Sequence, residues 1–311
     1  MSSLRWETKP DLRSPVLVAA FRGWNDGGSA ATLAAAFLRT RLEATRFAVI
    51  DPDDYVDFQV TRPHVSLSEG LTRHISWPET EFFHAPLPGI DRDLIVCTGV
   101  EPNVRWRSFT SEIATLAQDR GTTLVVTLGG LLADTPHSRP VPITGTAHDA
   151  ELVEEMGLER SRYEGPTGIV GVLHDACARA QLRSASLWAA VPHYVGANPN
   201  PSAALALIRA FERLTGVGFE PDEHERASAE FDRQVASIIE GDHEVQAYVR
   251  ELERRADAEA EEEAAVEAES RRIPTGDELE VELQRFLRGL REREPGDEDD
   301  GDPPTGGDPA P

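Results

Sequence analysis

The sequence predicts an α/β fold: a largely parallel sheet flanked by helices, followed by an all-helical C-terminal extension. Three observations predict it. Residues 16–21, VLVAAF, form an apolar run without alternation, the pattern of a strand buried on both faces under covering helices. A glycine-rich turn, GWNDGG at 23–28, then feeds an Ala/Leu-rich helix over 29–41, the opening unit of a doubly wound domain. Strand and helix alternate in this way to about residue 216, and beyond Gly218 only helical periodicity remains.

Each element follows in order. Residues 1–14 are polar and read as a loose lead-in to a core domain at 15–218. Residues 46–50 predict a second strand, ending at the turn signal Asp51-Pro52-Asp53-Asp54. Between 55 and 88 the pattern becomes short β-like pieces, 65–67 and 72–77, which predict a hairpin beside the parallel sheet. Residues 93–98 predict a buried strand, followed by a helix from Asn103 to about Arg120 with Ile113, Leu116 and Ala117 on its apolar stripe. Residues 122–128 are rich in β-branched residues and predict a strand ending in Gly129-Gly130. A strand at 141–146, a helix at 149–156, a helix after Gly165-Pro166-Thr167-Gly168, a strand at 184–191 and a helix opening on Pro201 complete the core.

The extension, 219–293, opens with Asp222 and Glu225 spaced as a capping box, and Ala227, Phe231, Val235, Ile238 and Ile239 share one helical face. Val245, Tyr248, Val249 and Leu252 form the stripe of a second helix, so the pair reads as an αα-hairpin. Residues 256–270 have almost nothing large to bury and suit a solvated helix or a connector. Thr275 and Glu278 repeat the capping box before an amphipathic stripe at Leu279, Leu283, Phe286, Leu287 and Leu290. The Asp/Gly/Pro composition of 294–311 predicts a disordered acidic tail.

Composition narrows the function classes. With 31 basic and 55 acidic residues the net charge is −24, which repels phosphate backbones, so nucleic acid is not an expected partner. Residues 242–311 carry −14 of this charge. Cys97 and Cys177 sit in apolar runs and read as buried reduced thiols. No stretch approaches the ~20 apolar residues of a membrane span and no leader pattern opens the chain, so a cytoplasmic protein is expected.

Candidate chemistry gathers at the strand ends. The turn Trp24-Asn25-Asp26-Gly27-Gly28 offers backbone amides to an anion, but Asp26 opposes phosphate and neither phosphate-loop glycine pattern is matched. The competing reading is a structural turn whose Asn/Asp caps the helix. Gly27-Gly28-Ser29-Ala30-Ala31 departs from the nucleophile elbow at its last position, and no histidine or aspartate partner is assigned to Ser29. Glu101 is placed for general-base work, with Asn103 as a helix cap the structural alternative. His193 follows the last core strand. No metal-ligand spacing occurs, and no metal or cofactor is expected. Trp24/Asn25/Asp26/Gly27, Glu101/Asn103, Gly129/Gly130, Thr167 and His193 together could line one crevice for a ligand or partner.

The stretches AFRGWNDGGSAA, GVEPNVRWRSF, LGGLLADTPHSRPVP, YEGPTGIVGVL and AAVPHYVGANPNPSAALAL resemble the bacterial branch of the proteasome assembly chaperone type 2 family over residues 15–216. AYVRELE at 247–253 and GDELEVELQRFLR at 276–288 extend the resemblance into the helical tail. It implies a topology related to purine nucleoside phosphorylases, a helical extension and homo-oligomers, trimers included. It carries over no catalytic residue. Relatives that assist 20S proteasome assembly dock through a C-terminal hydrophobic-Tyr-any motif, and the ending Gly307-Asp308-Pro309-Ala310-Pro311 differs from it. The expectation is therefore a self-associating, non-enzymatic chaperone-like or scaffold protein, with proteasome subunits as partners only by another route. The rival expectation is a small-molecule sensor or a hydrolase- or nucleoside-phosphorylase-like enzyme using the crevice.

Overall fold

The computed structural model describes residues 3–68, 72–147, 149–160, 164–195 and 199–271; the amphipathic stripe expected at 279–290 and the acidic tail lie outside them. The chain divides into two compact units, Met1–Ala256 and Asp257–Pro311, so the first extends beyond the change of character at 218. In chain order the elements begin β1 (Leu4–Trp6), β2 (Val16–Arg22), α1 (Ala30–Arg41), β3 (Thr45–Ile50), β4 (His64–Ser68), β5 (Thr72–Ser76) and β6 (Thr80–Pro86). They continue with β7 (Asp93–Val100), α2 (Trp106–Asp119), β8 (Leu124–Ala133), β9 (Ile143–Ala147), α3 (Ala150–Met156) and β10 (Glu159–Arg160). The rest are α4 (Ile169–Arg179), β11 (Ser184–Pro192), α5 (Pro201–Thr215), α6 (Asp222–Ile239) and α7 (His243–Arg271).

Among the described residues the main sheet has nine strands in the order β1-β3-β6-β7-β2-β8-β11-β9-β10. Its centre, β7-β2-β8-β11, is parallel throughout. Antiparallel strands extend it on both sides, β6, β3 and β1 next to β7 and β9 next to β11. The unalternating apolar run of β2 now has its cause. Val16, Val18 and Ala20 pack with Leu38 of α1 and Leu207 and Phe211 of α5, while Leu17, Ala19 and Phe21 pack with Ile113 of α2 and Leu173 of α4. Phe21 meets Phe109 edge-on at a centroid distance of 5.8 Å.

Local signals set most boundaries. Asn200 Oδ1 accepts from Ala203 N at 2.9 Å and Pro201 opens α5, which ends on Gly216 at φ 70°. Asp149 caps α3 through the amides of Glu151 and Leu152. Val249 and Leu252 are buried as the α7 stripe requires, and 256–270 is helical.

Several expectations are corrected. The lead-in is not loose: Leu4–Trp6 pairs antiparallel with β3, and Arg13 holds Asp93 at 2.9 Å. The strands of the expected hairpin, 64–68 and 72–76, do pair, as a two-stranded sheet separate from the main one. Beta strand β6, not singled out in the sequence, fills the place between β3 and β7. Strand β8 does not end at Gly129-Gly130 but runs through them to Ala133, because β11 pairs with it along that whole length. The capping box at Asp222 does not form; the cap position is Pro221, and Glu225 instead bonds Arg209 of α5. Ile238, expected on the buried face of α6, is 77% exposed.

Candidate functional site

The turn after β2 is built around one carboxylate. Asp26 Oδ1 accepts from the amides of Ala31 (2.9 Å) and Thr32 (3.2 Å), and Oδ2 accepts from Thr32 Oγ1 at 2.5 Å. It satisfies the donors at the start of α1, which the backbone enters through Ser29 in the left-handed region at φ 53°. Burial pushes the Asp26 carboxyl above its ordinary value, against the lowering effect of the Thr32 and Ala31 bonds. The turn also closes on β8: Gly130 N donates to Asn25 O at 2.9 Å, and a Cβ on Gly27 would lie 2.9 Å from Gly130 O. Gly27 is therefore required by close approach; the positive φ of 62° belongs to Gly28.

Glu101 does the same for α4 from the end of β7. Its Oε1 accepts from Ile169 N (2.9 Å) and Asn25 Nδ2 (3.0 Å), and its Oε2 from Trp24 N (3.2 Å). One side chain thus joins three segments and fills the N-terminus of α4 with a negative charge. Asn103 does not cap α2, whose cap position is Arg105; its Oδ1 accepts from Asp57 N at 2.8 Å and holds the turn after β3.

Beside α4 and over β11 and β9 lies a cleft of about 720 Å³. Of the sequence-expected residues it is lined by Trp24, Asn25 and Thr167; Glu101 bonds the lining Asn25 and Gly129 lies against the lining Trp188, while Asp26, Gly27, Asn103, Gly130 and His193 are not among the lining residues. The sequence reading missed Trp188, Ser186, Thr146 and His174, which also line it. Ser186 and Thr146 are cross-strand partners with hydroxyls 2.7 Å apart. His174 is buried, with Thr127 Oγ1 3.0 Å from Nε2 and Ser184 Oγ 2.8 Å from Nδ1. The period-two pattern Ser184-x-Ser186-x-Trp188 inside an otherwise apolar strand was the available signal.

His193 belongs to a different group. Its Nδ1 lies 3.1 Å from Asp134, and its ring meets Tyr194 and Tyr248 edge-on at 5.9 and 5.7 Å. Tyr248 lies on α7, so this cluster joins the end of β11 to the helical extension. Among the described residues Glu101 and His193 share no hydrogen-bond partner: Glu101 bonds Trp24, Asn25 and Ile169, and His193 lies against Asp134 and Ala133. Burial raises both thiols, Cys177 to about 12, so neither is poised as a nucleophile. Among the described residues no cluster of three or more His, Cys, Asp or Glu is arranged for a metal, and no helix is long and apolar enough to cross a membrane.

Residues 20–239 match the PAC2 family. The chain belongs to that family. A PAC2 family protein of Streptomyces avermitilis is similar in structure with a TM-score of 0.72 and 47% identity, covering 76% of this chain and 99% of its own. A proteasome-assembly chaperone homologue of Mycobacterium tuberculosis follows at 0.69 and 44%, covering 75% and 99%. An archaeal proteasome activator of Pyrococcus furiosus shares the fold at 0.61 with 18% identity, covering 76% and 97%. No curated protein sequence matches the chain. The match spans the end of β2 and the elements from α1 to α6, including every described residue that lines the cleft.

Proposed function

We propose that this PAC2 family member is a chaperone-like or scaffold protein of the cytoplasm, non-enzymatic, self-associating, and engaged with protein partners among which proteasome subunits stand first. The observation that carries the reading is the use of the two crevice acids. Asp26 and Glu101 are committed to the N-termini of α1 and α4, which makes the strand ends a fixed recognition surface instead of a proton-transfer site. The proteasome-assembly chaperone homologue of Mycobacterium tuberculosis, 44% identical, supplies the partner class. The direct test mixes the purified chain with 20S α subunits and resolves the mixture by size exclusion with light scattering. Co-elution is expected; separate elution at micromolar concentrations would remove proteasome subunits from the reading.

Self-association is assigned to the hairpin β4–β5. Val65 and Ile75 are directly paired, so they share a face with Leu67, and the three are 52–62% exposed. An isolated two-stranded hairpin is marginal in water, and an apolar face on it calls for cover. In a chain of net charge −24, its described strand residues carry one formal charge, on Arg73, so it is a place where a second copy can approach without strong repulsion. A second reading, a small-molecule sensor, is favoured by the cleft, whose volume falls in the ordinary range of ligand pockets, about 300–1,000 Å³.

A further inference from the structure

We infer that the cleft beside α4 takes an uncharged, flat, ring-bearing small molecule, its ring against the indole of Trp188 and its polar edge toward the Thr146 and Ser186 hydroxyls. The inference rests on the small-molecule reading and names its ligand class. Its first support is the way the indole is laid down. A Cβ at Gly129 would sit 2.2 Å from the Trp188 ring, so glycine at that position of β8 lets the ring lie across the neighbouring strand. In the β9–β11 register Thr144 pairs with Trp188 and Thr146 with Ser186, which puts an aromatic ring and a set of hydroxyls on one face. A ring stacks on such an indole, and hydrogen-bonding groups at its edge find partners within the same plane of approach.

Charge supplies the second support. Among the described residues none that lines the cleft is Asp, Glu, Lys or Arg, and each ring nitrogen of the histidine among them, His174, is engaged by a hydroxyl. A charged ligand would lose its hydration there without a counter-charge, which costs far more than a neutral ligand loses. The two helix N-termini nearest the turn, ordinarily attractive to phosphate, are already filled by Asp26 and Glu101, so an anion meets carboxylates instead of free amides. Trp24, 66% exposed, and Leu131, 46% exposed, complete an apolar rim.

The test uses matched probes on the full chain: indole against indole-3-acetate and tryptamine, and 1-naphthol against 1-naphthyl phosphate. Binding is followed by saturation-transfer NMR and titration calorimetry. The expected result is saturable binding of the neutral probes, at least tenfold tighter than each charged counterpart. Trp188→Leu should weaken it at least tenfold, and Trp24→Ala, at an exposed position that leaves the fold intact, severalfold. Equal affinity for neutral and charged probes of one ring would overturn the ligand class while leaving a small-molecule site. Absence of binding by all five probes at millimolar concentration would overturn both, and undiminished binding in both folded variants would move the site elsewhere and overturn the assignment.

Discussion

Asp26 combines burial, a full set of acceptor bonds and a negative charge, and these make opposing contributions. Its bonds to Ala31 and Thr32 hold the start of α1, whereas burial of the charge raises its pKa, so the charged native state is disfavoured above that pKa and relieved as pH falls through it. Asp26→Ala should therefore lose about 1–2 kcal/mol of unfolding free energy at neutral pH, the usual worth of a helix cap. Asp26→Asn keeps an acceptor for both amides without the buried charge and should lose much less. Urea titration of the two variants reads the difference directly. At Gly27 the Cβ of alanine would press on the Gly130 carbonyl, and neither backbone can yield without breaking the Asn25–Gly130 bond. Gly27→Ala should destabilise by about 1–3 kcal/mol, the typical cost of overpacking. A melting temperature unchanged from wild type would contradict the close approach.

Elements depend on partners that propensity does not specify. Strand β1 exists because β3 offers Ile50, Val49 and Ala48 as an edge, although LRW has little strand character of its own. Helix α7 is rich in charge and poor in large apolar residues, and its first turns are held to the sheet unit by buried Val249 and Leu252 and by Tyr248 near Asp134 at 3.2 Å. Leu252→Ala should destabilise by about 2–5 kcal/mol, as buried leucine truncations do, while Tyr248→Phe, which removes an exposed hydrogen bond, should be close to neutral. For the hairpin the measurement is mass in solution. Val65→Asp with Leu67→Asp should shift the chain from an oligomer to a monomer without changing its circular dichroism, and an unchanged mass would remove the hairpin as the contact.

Across the whole molecule, protonation sets one further expectation. Burial holds His84, His137 and His224 below the ordinary histidine value, against weaker opposing pulls from nearby carboxylates. The unfolded chain then binds more protons than the native one in the window just below about pH 6.5, so stability must fall as pH drops through that window. Thermal melts between neutral and mildly acidic pH should show this decline, and His137→Gln with His84→Gln should flatten it. A melting temperature independent of pH there would mean that these rings are more exposed than the structure has them.

The sequence by itself determined the central sheet and its covering helices, because an unalternating run such as VLVAAF has few ways to bury both faces and because Pro201, Asn200 and Gly216 mark a helix locally. It also placed Trp24, Asn25, Glu101 and Thr167 in the loops between strands and helices, but which of them meet was not in the local pattern. Tertiary structure alone decided the rest. Which residue of β11 faces Gly129 is a matter of register, fixed by pairing between chain segments some sixty residues apart, so the Ser184-x-Ser186-x-Trp188 pattern marks a polar face on β11 but not the cleft it forms with Thr146. His193 was assigned to the crevice by its position after a strand, but its ring was claimed by Tyr194, Tyr248 and Asp134. Local patterns specify what an element is; the site depends on which side chains distant elements bring within a few ångströms of one another.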